Sequence, residues 1–94
     1  MDIYTVVLPE KLKKDLRRIP KHVLVKLTAW INAVGHYGLS EVKKTPGYHD
    51  EPLKGDRKGQ RSIRLSKAYR AIYIIDSSGK TQIVEIVEVN KHDY

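Results

Sequence analysis

The sequence predicts an α+β fold in which one strand is followed by a helical hairpin and then by three or four further strands. Three observations carry that expectation: a β-branched opening segment, two apolar stripes at helical spacing between Leu8 and Val34, and alternating strand-like runs beginning near Ser62. Ninety-four residues leave room for one core and one site, and 40% hydrophobic with 31% charged residues is a globular composition. No internal repeat, low-complexity tract or linker is present, so the expected organisation is one domain over residues 1–94.

Residues 2–8, Asp-Ile-Tyr-Thr-Val-Val-Leu, are β-branched and aromatic enough for a first strand, after which Pro9 suits the first turn of a helix. Leu8, Leu12, Leu16 and Ile19 then follow one helical face, with Lys11, Lys13, Lys14, Arg17 and Arg18 around the remainder. That helix ends before Pro20. Val23, Leu24, Leu27, Trp30, Ile31 and Val34 form a second, stronger stripe, closed by Gly35 and Gly38. Apolar faces at this spacing rest on a sheet, and neither stripe carries chemistry. Between residues 40 and 49 one helical turn capped by Ser40 is expected, before Thr45-Pro46-Gly47 breaks regular structure. Ser62–Leu65, Tyr69–Ile75 and Gln82–Val89 read as strands, the last two joined by a turn over Asp76–Lys80.

The chain has no cysteine, which removes disulfide scaffolds, thiolate nucleophiles and Cys-based zinc sites together. No metal or other cofactor is expected. The N-terminus lacks the order of a signal peptide and no apolar run is long enough to span a bilayer, so the expected location is the cytoplasm, away from membranes. A formal net charge of +7 points to a polyanionic partner. The charge is concentrated: from Lys54 to Arg70 there are seven basic residues against the single acid Asp56. Lys54, Arg57, Lys58, Arg61 and Lys67 are the expected RNA-contacting cations of that segment.

RNA cleavage without a metal requires a base for the 2′-hydroxyl, an acid for the leaving 5′-oxygen, cations for the charged transition state and a surface that aligns the strand. Arg64 and Arg70 flank the turn Ser66-Lys67-Ala68 on neighbouring predicted strands, where two guanidinium forks can converge on one phosphate. His92, just beyond the last strand, has the side chain suited to proton transfer near neutrality, and Tyr94 can stack on a base or donate a phenolic proton. Glu51 stands immediately before the basic run and can act as a base. No phosphate-binding loop, dinucleotide fingerprint, His-Glu-x-x-His or Gly-x-Ser-x-Gly element occurs. Ser62, His92 and Asp93 could be assembled into a hydrolase triad, but no elbow exposes the serine.

Taken in order, Glu51-Pro52-Leu53-Lys54-Gly55-Asp56, Ser62-Ile63-Arg64-Leu65, Tyr69-Arg70-Ala71-Ile72-Tyr73 and the terminal Lys91-His92-Asp93-Tyr94 strongly resemble the RelE superfamily of toxins, with the YoeB and HigB branches nearest. The resemblance runs over essentially the whole chain. It implies a twisted, mainly antiparallel sheet of four to five strands with a two-helix hairpin on one face. It also implies a type II toxin–antitoxin toxin: a metal-independent endoribonuclease that cuts messenger RNA on the ribosome and is bound by a cognate antitoxin. By position, Glu51 resembles the YoeB glutamate that serves as general base or orients it, Arg64 and Arg70 the phosphate-binding and transition-state-stabilising pair, and His92 the terminal general acid. Tyr94 resembles the terminal tyrosine, although Asp93 separates it from His92 here. Ser62 stands where RelE itself has a catalytic lysine. HigB proteins carry a histidine just ahead of Pro-Leu-Lys-Gly; His49 stands two residues earlier and is the candidate for that place.

Two other classes of function stay open at this level. ParE-like toxins inhibit DNA gyrase on the same fold without the cleavage residues, and a non-catalytic module could hold RNA phosphates with the same basic strands.

Overall fold

A computed structural model describes residues 2–91. Of the strand expected over residues 2–8, only Val6–Val7 (β1) joins a sheet. The residues ahead of it cap a helix. Asp2 Oδ1 accepts hydrogen bonds from the backbone N–H of Ile3 (2.8 Å) and of Ser40 (3.0 Å), 38 positions away. These two donors, Ser40 first, hold the Asp2 carboxyl below its ordinary pKa.

Helix α1 spans Glu10–Leu16, with Pro9 one position earlier than expected, at the N-cap in extended conformation. Leu12 is buried, and Leu8, Leu16 and Ile19 pack at the margin of the core. Helix α2, Lys21–Tyr37, begins directly after Pro20, whose fixed φ directs the chain into the first turn. Its buried residues Val23, Leu27, Trp30 and Val34 are the predicted stripe. Gly35 lies within the helix, and Gly38 alone ends it, at φ 88°.

Ser40 does not cap the following turn. It lies inside α3, Leu39–Val42, where its own N–H donates to the Asp2 side chain while the Leu39 N–H donates to the Ile3 carbonyl at 2.8 Å. Gly38 makes this possible twice over: its φ lies in the left-handed region, and a Cβ there would stand 2.2 Å from Asp2 Oδ2. Gly38→Ala is therefore expected to destabilise the protein by more than about 1 kcal/mol, and Asp2→Ala by about 1 kcal/mol. Urea unfolding midpoints measure both. An unchanged midpoint for Gly38→Ala would mean that neither the left-handed backbone at Gly38 nor its contact with Asp2 holds in solution.

The remaining strands are β2 (Glu51–Pro52), β3 (Arg61–Arg64), β4 (Tyr69–Asp76) and β5 (Ile83–Lys91). They form a five-stranded sheet of order β1-β5-β4-β3-β2, antiparallel except for the β1–β5 pair. This is the expected α+β architecture, with β2 arising just beyond the loop expected over residues 40–49, where no element was expected.

The helices cover one face of the sheet. Ile63, Ala71, Tyr73, Val84, Ile86 and Val89 meet the α2 stripe there, and Trp30 lies against Tyr73 with ring centroids 5.2 Å apart. A register shift at Ile72/Tyr73, where Ile72 pairs with Glu88 but Tyr73 with Ile86, leaves Val87 as an extra residue. This bulge changes the parity of β5. Val84 and Ile86 face the core before it and Val89 after it, which turns Glu88 and Asn90 to the opposite face.

Candidate active site

Directly opposed residues of antiparallel strands point to the same side of a sheet. The register therefore defines rows on the face away from the helices. One row runs Glu51–Ser62–Ile72–Glu88 from β2 to β5, and the next runs Arg64–Arg70–Asn90. Arg64 and Arg70 are direct cross-strand partners, which brings together the pair expected from sequence and sets Glu51 one row away on the same face. Two like charges placed opposite each other are unfavourable, by a few tenths of a kcal/mol or more, unless an anion lies between them.

The turn after Arg64 is held tightly. Ser66 Oγ accepts from the N–H groups of Ala68 (3.2 Å) and Tyr69 (3.1 Å), while the Leu65 and Ser66 N–H groups donate to the Tyr69 carbonyl. The hairpin thus fixes the spacing of the two arginines. Between the strands and the preceding segment lies a cleft of about 270 Å³. Glu51, Arg64, Lys67 and Arg70 line it with His49, Ser62, Ser66 and Tyr69. Ser62 is 2% exposed, consistent with a place on the cleft floor, and too recessed to serve as an open nucleophile.

Asp50 points the other way. Its side chain is fully buried and accepts from Tyr73 Oη at 2.6 Å and from Arg61 Nε at 2.7 Å. Burial, and then the hydrogen bond to Asp50, raise the Tyr73 phenol well above its ordinary pKa, so it stays a donor at any physiological pH. This network anchors the segment between the 3-10 turn Pro46–Tyr48 and β2 to the two strands that carry the arginines. It was not legible in the sequence; the one available signal is an acid flanked by two other polar residues ahead of a strand.

The basic segment does not act as a uniform surface. Arg61, expected on the RNA face, is directed to the helix side and is paired with Asp50. Arg57 reaches across to β5, where Nη2 and Nη1 meet the two Glu88 oxygens at 2.6 and 3.4 Å. The Arg57 contact lowers the Glu88 pKa more than burial raises it, and Asn90 adds a further hydrogen bond to the same carboxylate. Lys54, Lys58, Arg64, Lys67 and Arg70 have no carboxylate in ion-pair contact among the described residues. The local charge available to a polyanion is thus five cations.

His92 and Tyr94 lie outside the described residues, as does Asp93. Among the described residues no cluster of three or more His, Asp or Glu is placed to hold a metal ion. No helix among the described residues is long and apolar enough to cross a membrane.

No protein-family model matches the chain, and neither does any curated protein. Solved structures do match it. A YoeB/ParE toxin from Agrobacterium tumefaciens is 25% identical with a TM-score of 0.65, over 95% of this chain and 99% of that one. A chain of the RelBE2 toxin–antitoxin complex from Mycobacterium tuberculosis is 23% identical with a TM-score of 0.63, over 96% and 99%. YafQ from E. coli is 17% identical with a TM-score of 0.68, over 92% and 90%. The five-stranded sheet, the helices on one face and the likeness to these toxins over nearly their full length show that the chain has the fold of RelE-like toxin–antitoxin toxins.

Proposed function

We propose that this chain, acting as one domain over residues 1–94, is the toxin of a type II toxin–antitoxin module and a metal-independent endoribonuclease that cuts messenger RNA on the ribosome in the cytoplasm. The observation that carries this reading is the juxtaposition of Arg64 and Arg70 as direct cross-strand partners beside a polar cleft that also holds Glu51. Two guanidinium groups at this spacing, with no carboxylate partner among the described residues, suit a phosphodiester, whose charge rises in the transition state. Glu51 supplies the base for the 2′-hydroxyl, and Lys54, Lys58 and Lys67 hold flanking phosphates. A cognate antitoxin is the expected protein partner, as the RelBE2 and YoeB–YefM complexes among the structural neighbours illustrate for those toxins.

Primer extension on cellular messenger RNA after brief induction tests the activity. New cleavage sites are expected. Gyrase-type DNA damage without cuts would point instead to a ParE-like toxin, and neither effect to a binding module. Ribosome affinity should fall steeply as salt rises, and Lys58→Ala should lower the slope of log affinity against log salt by about one. Arg57→Ala should change that slope less, because Glu88 already neutralises its charge. Salt-independent binding would remove the phosphate-contact argument.

A further inference from the structure

His49 is held in a conformation that side chains seldom adopt. Its φ of 45° makes it the one non-glycine with positive φ among the described residues, and it closes the 3-10 turn Pro46–Tyr48. Both neighbours are fixed. Tyr48 packs on the core margin with Lys26 Nζ 4.9 Å from its ring centroid, and Asp50 is locked inward by Tyr73 and Arg61. With those two side chains turned into the protein, His49 and Glu51 both line the cleft, facing Arg64, Lys67, Tyr69 and Arg70. The anchored triplet His49-Asp50-Glu51 therefore delivers two proton-transfer groups to one wall.

We infer that His49 is the general acid of this cleft, an inference that rests on the endoribonuclease reading above. A leaving 5′-oxygen needs a group that is appreciably protonated near neutrality and still a good donor. Of the side-chain types that the described residues bring to the cleft lining, only imidazole combines the two, since carboxyl groups ordinarily release their protons near about pH 4, ammonium and phenol groups near about pH 10 and guanidinium essentially never. The step balances without an added reagent. The 2′-hydroxyl gives its proton to the Glu51 carboxylate as O2′ bonds to phosphorus; the P–O5′ bond breaks with its electron pair on O5′, which takes the His49 proton. A 2′,3′-cyclic phosphate and a 5′-hydroxyl result.

The test is single-turnover cleavage on programmed ribosomes with two substrates, one ordinary and one carrying sulfur in place of the 5′-bridging oxygen. His49→Asn is the first variant, because asparagine tolerates positive φ, and His49→Gly the second, because glycine has no strain there. Both should cut the ordinary substrate about a hundredfold more slowly than wild type. On the sulfur substrate both should come within about threefold of wild type, since a thiolate leaves without protonation. Glu51→Gln should be slow on both. Equal losses on the two substrates, wild-type rates from His49→Asn on the ordinary one, or sulfur rescue of His92→Gln in place of the His49 variants would each overturn the assignment. Wild-type protein that cuts neither substrate would instead remove the endoribonuclease reading, and His49's role with it.

Discussion

Arg70→Lys is expected to slow RNA cleavage nearly as much as Arg70→Ala, by about two to three powers of ten, with ribosome binding little changed. The reason is geometric. Arg70 faces Arg64 directly across two antiparallel strands, and the Ser66 turn fixes their separation. Each guanidinium offers a planar fork that can hold two phosphate oxygens; lysine keeps the charge but offers one compact ammonium. Losing a preorganised contact of this kind costs about 3 to 4 kcal/mol in the transition state. Ground-state binding is shared with Lys54, Lys58 and Lys67 and should be nearly preserved. Single-turnover rates and binding for wild type and both variants decide the matter. Retention of most of the wild-type rate by Arg70→Lys would make Arg70 a generic cation.

Asp50→Ala should both destabilise the fold and impair cleavage, although Asp50 itself faces away from the cleft. Removing one member of a buried ion pair leaves the other without its partner, at a cost of about 3 kcal/mol, near the low end of the usual range because Arg61 is only partly buried. The Tyr73 hydroxyl also loses its acceptor. Tyr73→Phe, which removes one hydrogen bond and keeps the ring against Trp30, should cost about 1 to 2 kcal/mol. In a double-mutant cycle the two losses should be less than additive, since both act through one carboxylate. Cleavage by Tyr73→Phe at a temperature where it is fully folded should still fall severalfold, because Asp50 holds His49 and Glu51 in the cleft wall. Additive stability effects together with wild-type cleavage would reduce Asp50 to an ordinary core contact.

Much of this protein is written locally in its sequence. The Leu12 and Val23–Val34 stripes specify α1 and α2 because a helix repeats its face every three to four residues, and Pro20 and Gly38 mark boundaries through backbone geometry alone. The alternation around Ile63 and the short turn between Arg64 and Arg70 place those arginines on adjacent strands, so the centre of the candidate site was legible too. Other features depend on residues far apart in sequence. The pairing of β1 with β5, the Asp2 cap on α3, and the binding of Arg57 to Glu88 and Arg61 to Asp50 all arise from long-range contacts that no local periodicity encodes. A charge count over Lys54–Arg70 treats seven cations alike, whereas two of them are neutralised by carboxylates brought in by folding. His49 was ambiguous for the same reason: its place in the cleft depends on its positive φ and on two neighbours anchored to α2, β3 and β4. Sequence alone specified α1, α2, β3, β4 and β5 and the chemistry available; tertiary structure decided which residues form β1 and β2 and which charged groups remain open to a ligand, because edge pairing, ion pairing and burial are settled by distance in space.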